Sequence, residues 1–272
     1  MKLLLHKWRK GLLIGVGALL LSTLGLQASD EWQGIGGRLS GAVVTSGGIC
    51  GPHAVQIPYG DHAVCMDTYE ASPGEECVYT ETDNELQTQS NIAKATCLPR
   101  SVPDVLPWRF VSYTQAQQLC ARAGKRLPKN EEWYKVAIGL PEVTGCFPDK
   151  TKPALTGAGT CITPTGVYNI VGNVWEWVDE TIENGQYEGR ILPGSGYVTL
   201  VDAAGVVIET ADKADANFGS DYAWVQAEGV RGILRGGFYG SGTDGGIFTQ
   251  NMAAQLNFAA VGVGFRCVRD IW

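Results

Sequence analysis

The chain has 272 residues, 44% of them hydrophobic, and its 21 basic and 28 acidic residues give a formal charge of −7 at pH 7. That length suits one domain of roughly 230 residues, or two small ones, with a real core. So acidic a balance repels phosphate backbones and anionic lipid, so neither nucleic acid nor a charged membrane surface is expected as a partner.

At the N-terminus, Lys2, Lys7, Arg9 and Lys10 precede an uncharged apolar run from Gly11 to Leu26, and Ala28 closes it with a small residue. This pattern predicts a secretory signal peptide over 1–28, cleaved after Ala28. The 16-residue run falls short of the ~20 residues that a spanning helix needs. The mature chain is therefore expected to be exported (secreted, periplasmic or at the cell surface), with no membrane insertion after cleavage; the alternative is an uncleaved anchor. Its 17 remaining basic residues against 28 acidic ones leave −11. Eight cysteines, Cys50, Cys65, Cys77, Cys97, Cys120, Cys146, Cys161 and Cys267, lie beyond this segment, none in a CxxC pair. An even count in an exported chain reads as disulfides rather than zinc. Cys146 and Cys161 are near enough to staple the Gly/Pro/Thr-rich loop between them, while Cys50, Cys65, Cys77 and Cys97 have no assigned pairing.

Residues 29–60 are rich in glycine and show no helical period, which predicts an extended lead-in. Val64 to Glu70 alternates as a strand does. The polar run Ser72 to Arg100 reads as a long loop bracketed by Cys77 and Cys97. Ser112 with Gln115 forms a capping box, Val111 and Ala116 are placed as a hydrophobic staple, and Gly124 sits where a left-handed cap belongs. The face Ala116, Leu119, Cys120, Ala123 follows helical spacing, so Cys120 points inward. A second helix is predicted from about Asn130 to Pro141, with Trp133, Val136, Ala137 and Leu140 on one face and Glu131 and Glu132 in its first turn. Between Thr181 and Gly232 come short strands such as Gly196 to Val201. Arg235-Gly236-Gly237 and Gly262 to Cys267 read as strands flanking a segment whose one charge is Asp244. Residues 61–272 are expected to form one α+β domain.

Five motifs then fall in a telling order: Cys65-Met66-Asp67-Thr68-Tyr69-Glu70; Ala123 to Pro128 with Glu132-Trp133; Tyr168 to Trp177; Leu234-Arg235-Gly236-Gly237; and Gly264-Phe265-Arg266-Cys267. Together they resemble the formylglycine-generating enzyme, or sulfatase-modifying factor, domain. The resemblance implies a C-type-lectin-like α+β fold with little regular secondary structure, stabilised by disulfides, in which Cys120 pairs with Cys267. It also implies a structural calcium ion held by the side chains of Asn169 and Glu176 and the carbonyls of Gly172 and Val174. Oxygen ligands of that kind suit calcium, and the plainer alternative is that Glu176 forms an internal salt bridge. The family's copper centre needs two cysteines that would fall at about Ser241 and Gly246. Soft thiolates are what Cu(I) wants, and no cysteine lies between Arg235 and Cys267, so no copper is expected. The chain is read as non-enzymatic. Arg235 and Arg266 are expected to partner core carboxylates, and Lys125-Arg126 to form an exposed turn.

The segment 238–261 also resembles the variable segment of proteins diversified by retroelements, in which randomised adenines yield small, polar and aromatic side chains. Gln250, Met252 and Gln255 fall outside what an asparagine codon can give and read as scaffold or as other codons. These features point to an exported receptor that binds a protein or cell-surface ligand through Phe238, Tyr239, Ser241, Thr243, Asp244, Asn251, Asn257 and Phe258, with aromatic anchors in a polar surround. A formylglycine-generating oxidase and a structural envelope protein remain the alternatives.

Overall fold

The computed structural model describes residues 48–60, 62–140, 144–147 and 149–271. The expected signal segment, residues 1–28, lies outside them. The strands and helices of Ile49–Trp272 make one compact unit.

The unit opens with β1 (Ala54–Tyr59) and β2 (His62–Asp67), which form a hairpin, and the last strand, β14 (Val268–Ile271), adds to β2. Of the expected glycine-rich lead-in 29–60, residues 29–47 lie outside the described residues, and Ala54–Tyr59 is a ladder strand fixed by its pairing with the buried run Val64 to Asp67. The long loop expected from Ser72 to Arg100 also contains structure. β3 (Ala71–Pro73) pairs with β4 (Pro99–Ser101), Cys77 is bonded to Cys97, and between them lies helix α1 (Glu85–Ala93). This helix has no apolar stripe to announce it. Asn84 caps it by accepting from the Gln87 N–H at 3.0 Å. Its inner face is polar: Thr88 donates to the Arg109 carbonyl and accepts from Trp108 Nε1, and Asn91 exchanges hydrogen bonds with both backbone groups of Tyr79.

The next helix, α2 (Tyr113–Arg122), has the capping box of Ser112 and Gln115, and Gly124 follows it at φ +67°. Helix α3 (Asn130–Ala137) stops before the expected Pro141, at the Ile138-Gly139 turn, although Leu140 is still buried.

A large sheet then organises the rest: β5 (Trp175–Glu183), β6 (Gln186–Tyr187), β7 (Arg190–Ile191), β8 (Gly196–Val201), β9 (Val207–Ala211), β10 (Tyr222–Val225), β11 (Val230–Arg235), β12 (Gln250–Met252) and β13 (Val263–Gly264). Its order is β7-β6-β5-β11-β12-β10-β8-β9, with β13 parallel to β5. Side chains alternate across a strand, and this alternation makes two cores. Val178, Ile182, Ile233 and Met252 face α3, with Trp133 and Val136. Trp177 and Leu234 face α2, with Tyr113, Ala116 and Leu119.

Cys120 on α2 is bonded to Cys267, Cys146 to Cys161, and Cys50 to Cys65. The Cys120–Cys267 bond closes a separation of 147 residues, and on chain-entropy grounds so long a loop is worth about 5 kcal/mol. We predict that Cys120→Ser and Cys267→Ser lower the melting temperature equally and that the double variant is no worse than either. Thermal unfolding of the three variants checks this; additive losses would contradict it.

Candidate functional site

Site and scaffold meet around one carboxylate. Glu176 on β5 is buried and paired with Arg266: Nε lies 2.9 and 2.8 Å from its two oxygens and NH2 2.6 Å from Oε1, while Trp133 Nε1 donates to Oε2 at 2.9 Å. The other guanidinium donors reach the carbonyls of Asp67, Thr68 and Tyr168. Asn169 is committed as well, with Oδ1 accepting from the Gly157 N–H at 2.8 Å and Nδ2 donating to the Ala158 carbonyl at 3.0 Å. The side chains of the expected calcium set thus spend their oxygens on protein donors, and a buried guanidinium neutralises the carboxylate. The internal salt bridge named as the plainer alternative is present between Glu176 and Arg266, beside the Asn169, Gly172 and Val174 positions.

The other arginines also depart from expectation. Arg235 is fully buried but donates to the carbonyls of Gly205 and Ile247 and lies 4.8 Å from the Trp133 ring centroid, so carbonyls and an aromatic face, not a bonded carboxylate, receive it. Burial lowers its pKa to about 10. Lys125 pairs with buried Asp67, and Arg126 forks between Glu132 and Asp270, so this turn is an ion-pair network instead of an exposed corner.

The eight expected ligand-binding residues divide into two groups. Asn251, Asn257 and Phe258 line one open cavity of about 490 Å³, together with Gln255 and with Glu85 from α1. Gln255, expected as scaffold or from another codon, is exposed in that wall, whereas Gln250 and Met252 are fully buried. Phe238, Tyr239, Ser241, Thr243 and Asp244 form a separate turn. There Ser241 Oγ accepts from the Phe238 N–H and the Asp244 carbonyl accepts from Thr249 Oγ1. Phe238 is a packing residue: its ring joins the α2-side core, and a Cβ at Gly262 would come within 2.7 Å of it. Glu85 was not among the expected residues because its only signal was its place in an acidic run.

With this geometry in view, residues 140–271 match the sulfatase-modifying factor enzyme 1-like domain family. This stretch is similar to that family's domain. A relative named inactive C-alpha-formylglycine-generating enzyme 2, from Bos taurus, is 31% identical over 122 residues, covering 36% of this chain and 40% of that protein. The Mus musculus protein of the same name is 31% identical over 123 residues with the same coverage. The chain therefore spans about 40% of the length of the curated relatives it matches. Among solved structures, the Major Tropism Determinant U1 variant is similar at 18% identity and a TM-score of 0.42, covering 76% of this chain and 50% of that one.

The two positions that the resemblance implies for copper are about Ser241 and Gly246, and the residues there do not fit the metal. Neither supplies a thiolate, and all the described cysteines are in disulfides. A Cβ at Gly246 would also collide with the carboxylate of Asp221. That carboxylate is buried and accepts from the Phe248 N–H at 2.6 Å. Burial, partly offset by that hydrogen bond and by Arg235, raises its pKa to about 6.

Glu70, in the first family motif, is the most perturbed of the acids given a value. Burial raises its pKa from 4.5 to about 7 against the pull of Arg266, with Glu176 adding repulsion; Oε1 accepts from Asn173 Nδ2, while Oε2 has no partner among the described residues. An acid whose folded pKa is raised holds its proton more tightly in the folded state, so its contribution is complete below pH 4.5 and is lost as pH rises through about 7. We predict that stability falls by up to about 3 kcal/mol across this window from Glu70 alone, and that Glu70→Gln flattens the slope. Chemical unfolding from pH 4.5 to 8 checks it; an unchanged slope in the variant would contradict it.

Proposed function

We propose that this chain is a non-catalytic, exported ligand-binding protein of the sulfatase-modifying factor family, and that the 251–259 part of its 238–261 segment contacts a protein or cell-surface ligand. The observation that carries the reading is the cavity of about 490 Å³ walled by Asn251, Gln255, Asn257 and Phe258. Concave sites with an aromatic wall and a few convergent polar groups are where ligands bind. Phe258 is 42% exposed, and an aromatic presented in a polar surround is the usual anchor of an interface.

The absence of catalysis rests on the carboxylate of Asp221 beneath Gly246, and it agrees with the word inactive in the names of the relatives. Export agrees with four disulfides, which persist in oxidising compartments. Among the described residues no helix is long and apolar enough to cross a membrane. Diversification by a retroelement would act on the same 238–261 segment. It would leave a near-copy of the coding segment, differing at adenines, beside a reverse transcriptase gene.

The test has two arms. Oxidised protein incubated with copper and a cysteine-containing sulfatase peptide is expected to yield no aldehyde, and the double variant Ser241→Cys/Gly246→Cys is expected to melt lower without gaining activity. Screening the immobilised chain against cell-surface proteins is expected to give ligands whose binding falls at least tenfold in Asn257→Ala/Phe258→Ala. Aldehyde formation, or ligands indifferent to that double variant, would overturn the proposal.

A further inference from the structure

The cavity continues into the sheet beside it. Asn251 stands opposite Trp224 in the β10–β12 pairing, and Tyr222 stands opposite Tyr197 in the β8–β10 pairing. Tyr222 and Trp224 are two residues apart, so all four side chains share one face of the sheet. Their rings touch in series: centroids are 5.2 Å apart for Tyr197–Tyr222, 4.8 Å for Tyr222–Trp224 and 5.8 Å for Trp224–Trp175. Toward β5 the same face is closed by α2, whose Tyr113 packs edge-on against Trp177. Away from it, Tyr197, Tyr222 and Trp224 remain half-buried, forming an aromatic ridge that leads to the cavity at Asn251.

Charge decides what fits there. Among the residues of ridge and cavity the single charge is Glu85, which is exposed and pairs with no cation among the described residues. The 238–261 segment adds Asp244 and contains no lysine or arginine, in a chain whose formal charge is −7. An anionic ligand would meet a carboxylate with no base to offset it. A cation would meet that carboxylate, the Phe258 ring and amide oxygens, and aromatic faces attract cations through their quadrupole.

We infer that this cavity receives a basic side chain, lysine or arginine, of a protein partner, and that the flanking residues of that partner lie across Tyr197, Tyr222 and Trp224. The inference rests on the ligand-binding reading above and names the chemistry of its partner. The guanidinium or ammonium group lies beside Glu85 and over Phe258, and its aliphatic stem runs along Ala253 and Ala254. The ridge enlarges the contact surface beyond the 238–261 segment, and aromatic residues at the centre of a contact carry most of its energy.

The test titrates the full chain with N-acetyl-arginine amide and with the corresponding citrulline amide, a neutral near-isostere, following the backbone amide signals of Glu85, Asn257 and Phe258 by NMR. The arginine probe is expected to saturate these signals, to bind at least tenfold more tightly than citrulline, and to weaken with added salt. Glu85→Gln, an exposed change that leaves the melting temperature near that of the parent, is expected to remove the preference. If both probes bind alike, or if Glu85→Gln keeps the preference, the cationic assignment fails while a face for neutral ligands such as glycans survives. If neither probe shifts these signals, the cationic assignment fails, and the cell-surface screen separately decides whether the face binds anything.

Discussion

The buried ion pair of Arg266 and Glu176 is the constraint on which the rest of the structure depends. Both residues are nearly or fully inaccessible, and a charge pair so deep is tolerated only when every remaining donor and acceptor is met. Here the guanidinium reaches one carboxylate and three backbone carbonyls drawn from β2, the segment before β5, and the residue after β2. Trp133 on α3 supplies a further donor to Glu176. One side chain near the C-terminus thereby holds the end of β2, the segment before β5 and β5 itself in fixed relation. Taking away either partner would strand a buried charge, at a cost of about 3–5 kcal/mol.

That hub sits next to Cys267, whose bond to Cys120 anchors α2 to the same strand end. Together they fix Gly264 to Cys267, while Arg235 and its contacts with Trp133 and two carbonyls fix the other end of the 238–261 segment. Between these clamps the segment divides by burial. Phe238, Gln250 and Met252 pack inward, Asp221 fills the space beneath Gly246, and Asn251, Gln255, Asn257 and Phe258 wall the cavity. The space in which a metal centre would be built is occupied by protein, and the surface next to it is open.

Much of this was legible in the residues, and the exceptions have a common cause. The capping box at Ser112, the strand Gly196–Val201 and the inward face of α2 follow local rules, and each lies where those rules put it. Helix α1 was hidden because Thr88 and Asn91 hold it through hydrogen bonds to distant backbone, which leaves no apolar period to read. β1 was hidden because pairing with β2, and not its own composition, makes it a strand. The oxygens of Asn169 and Glu176 matched a calcium set in type and spacing, but their donors, Gly157, Trp133 and Arg266, come from other parts of the chain. Likewise Glu85 joins Phe258 only through the tertiary fold. What a side chain is, and what its near neighbours are, can be read in sequence; which distant group reaches it first cannot.

We propose that a guanidinium, and no metal ion, neutralises Glu176, and one direct measurement tests this: the melting curve of the purified chain in excess chelator and again in millimolar calcium. A ligand bound only to the folded state raises its stability by mass action. The account predicts superimposable curves, and a melting temperature that falls on chelation and returns with calcium would contradict it.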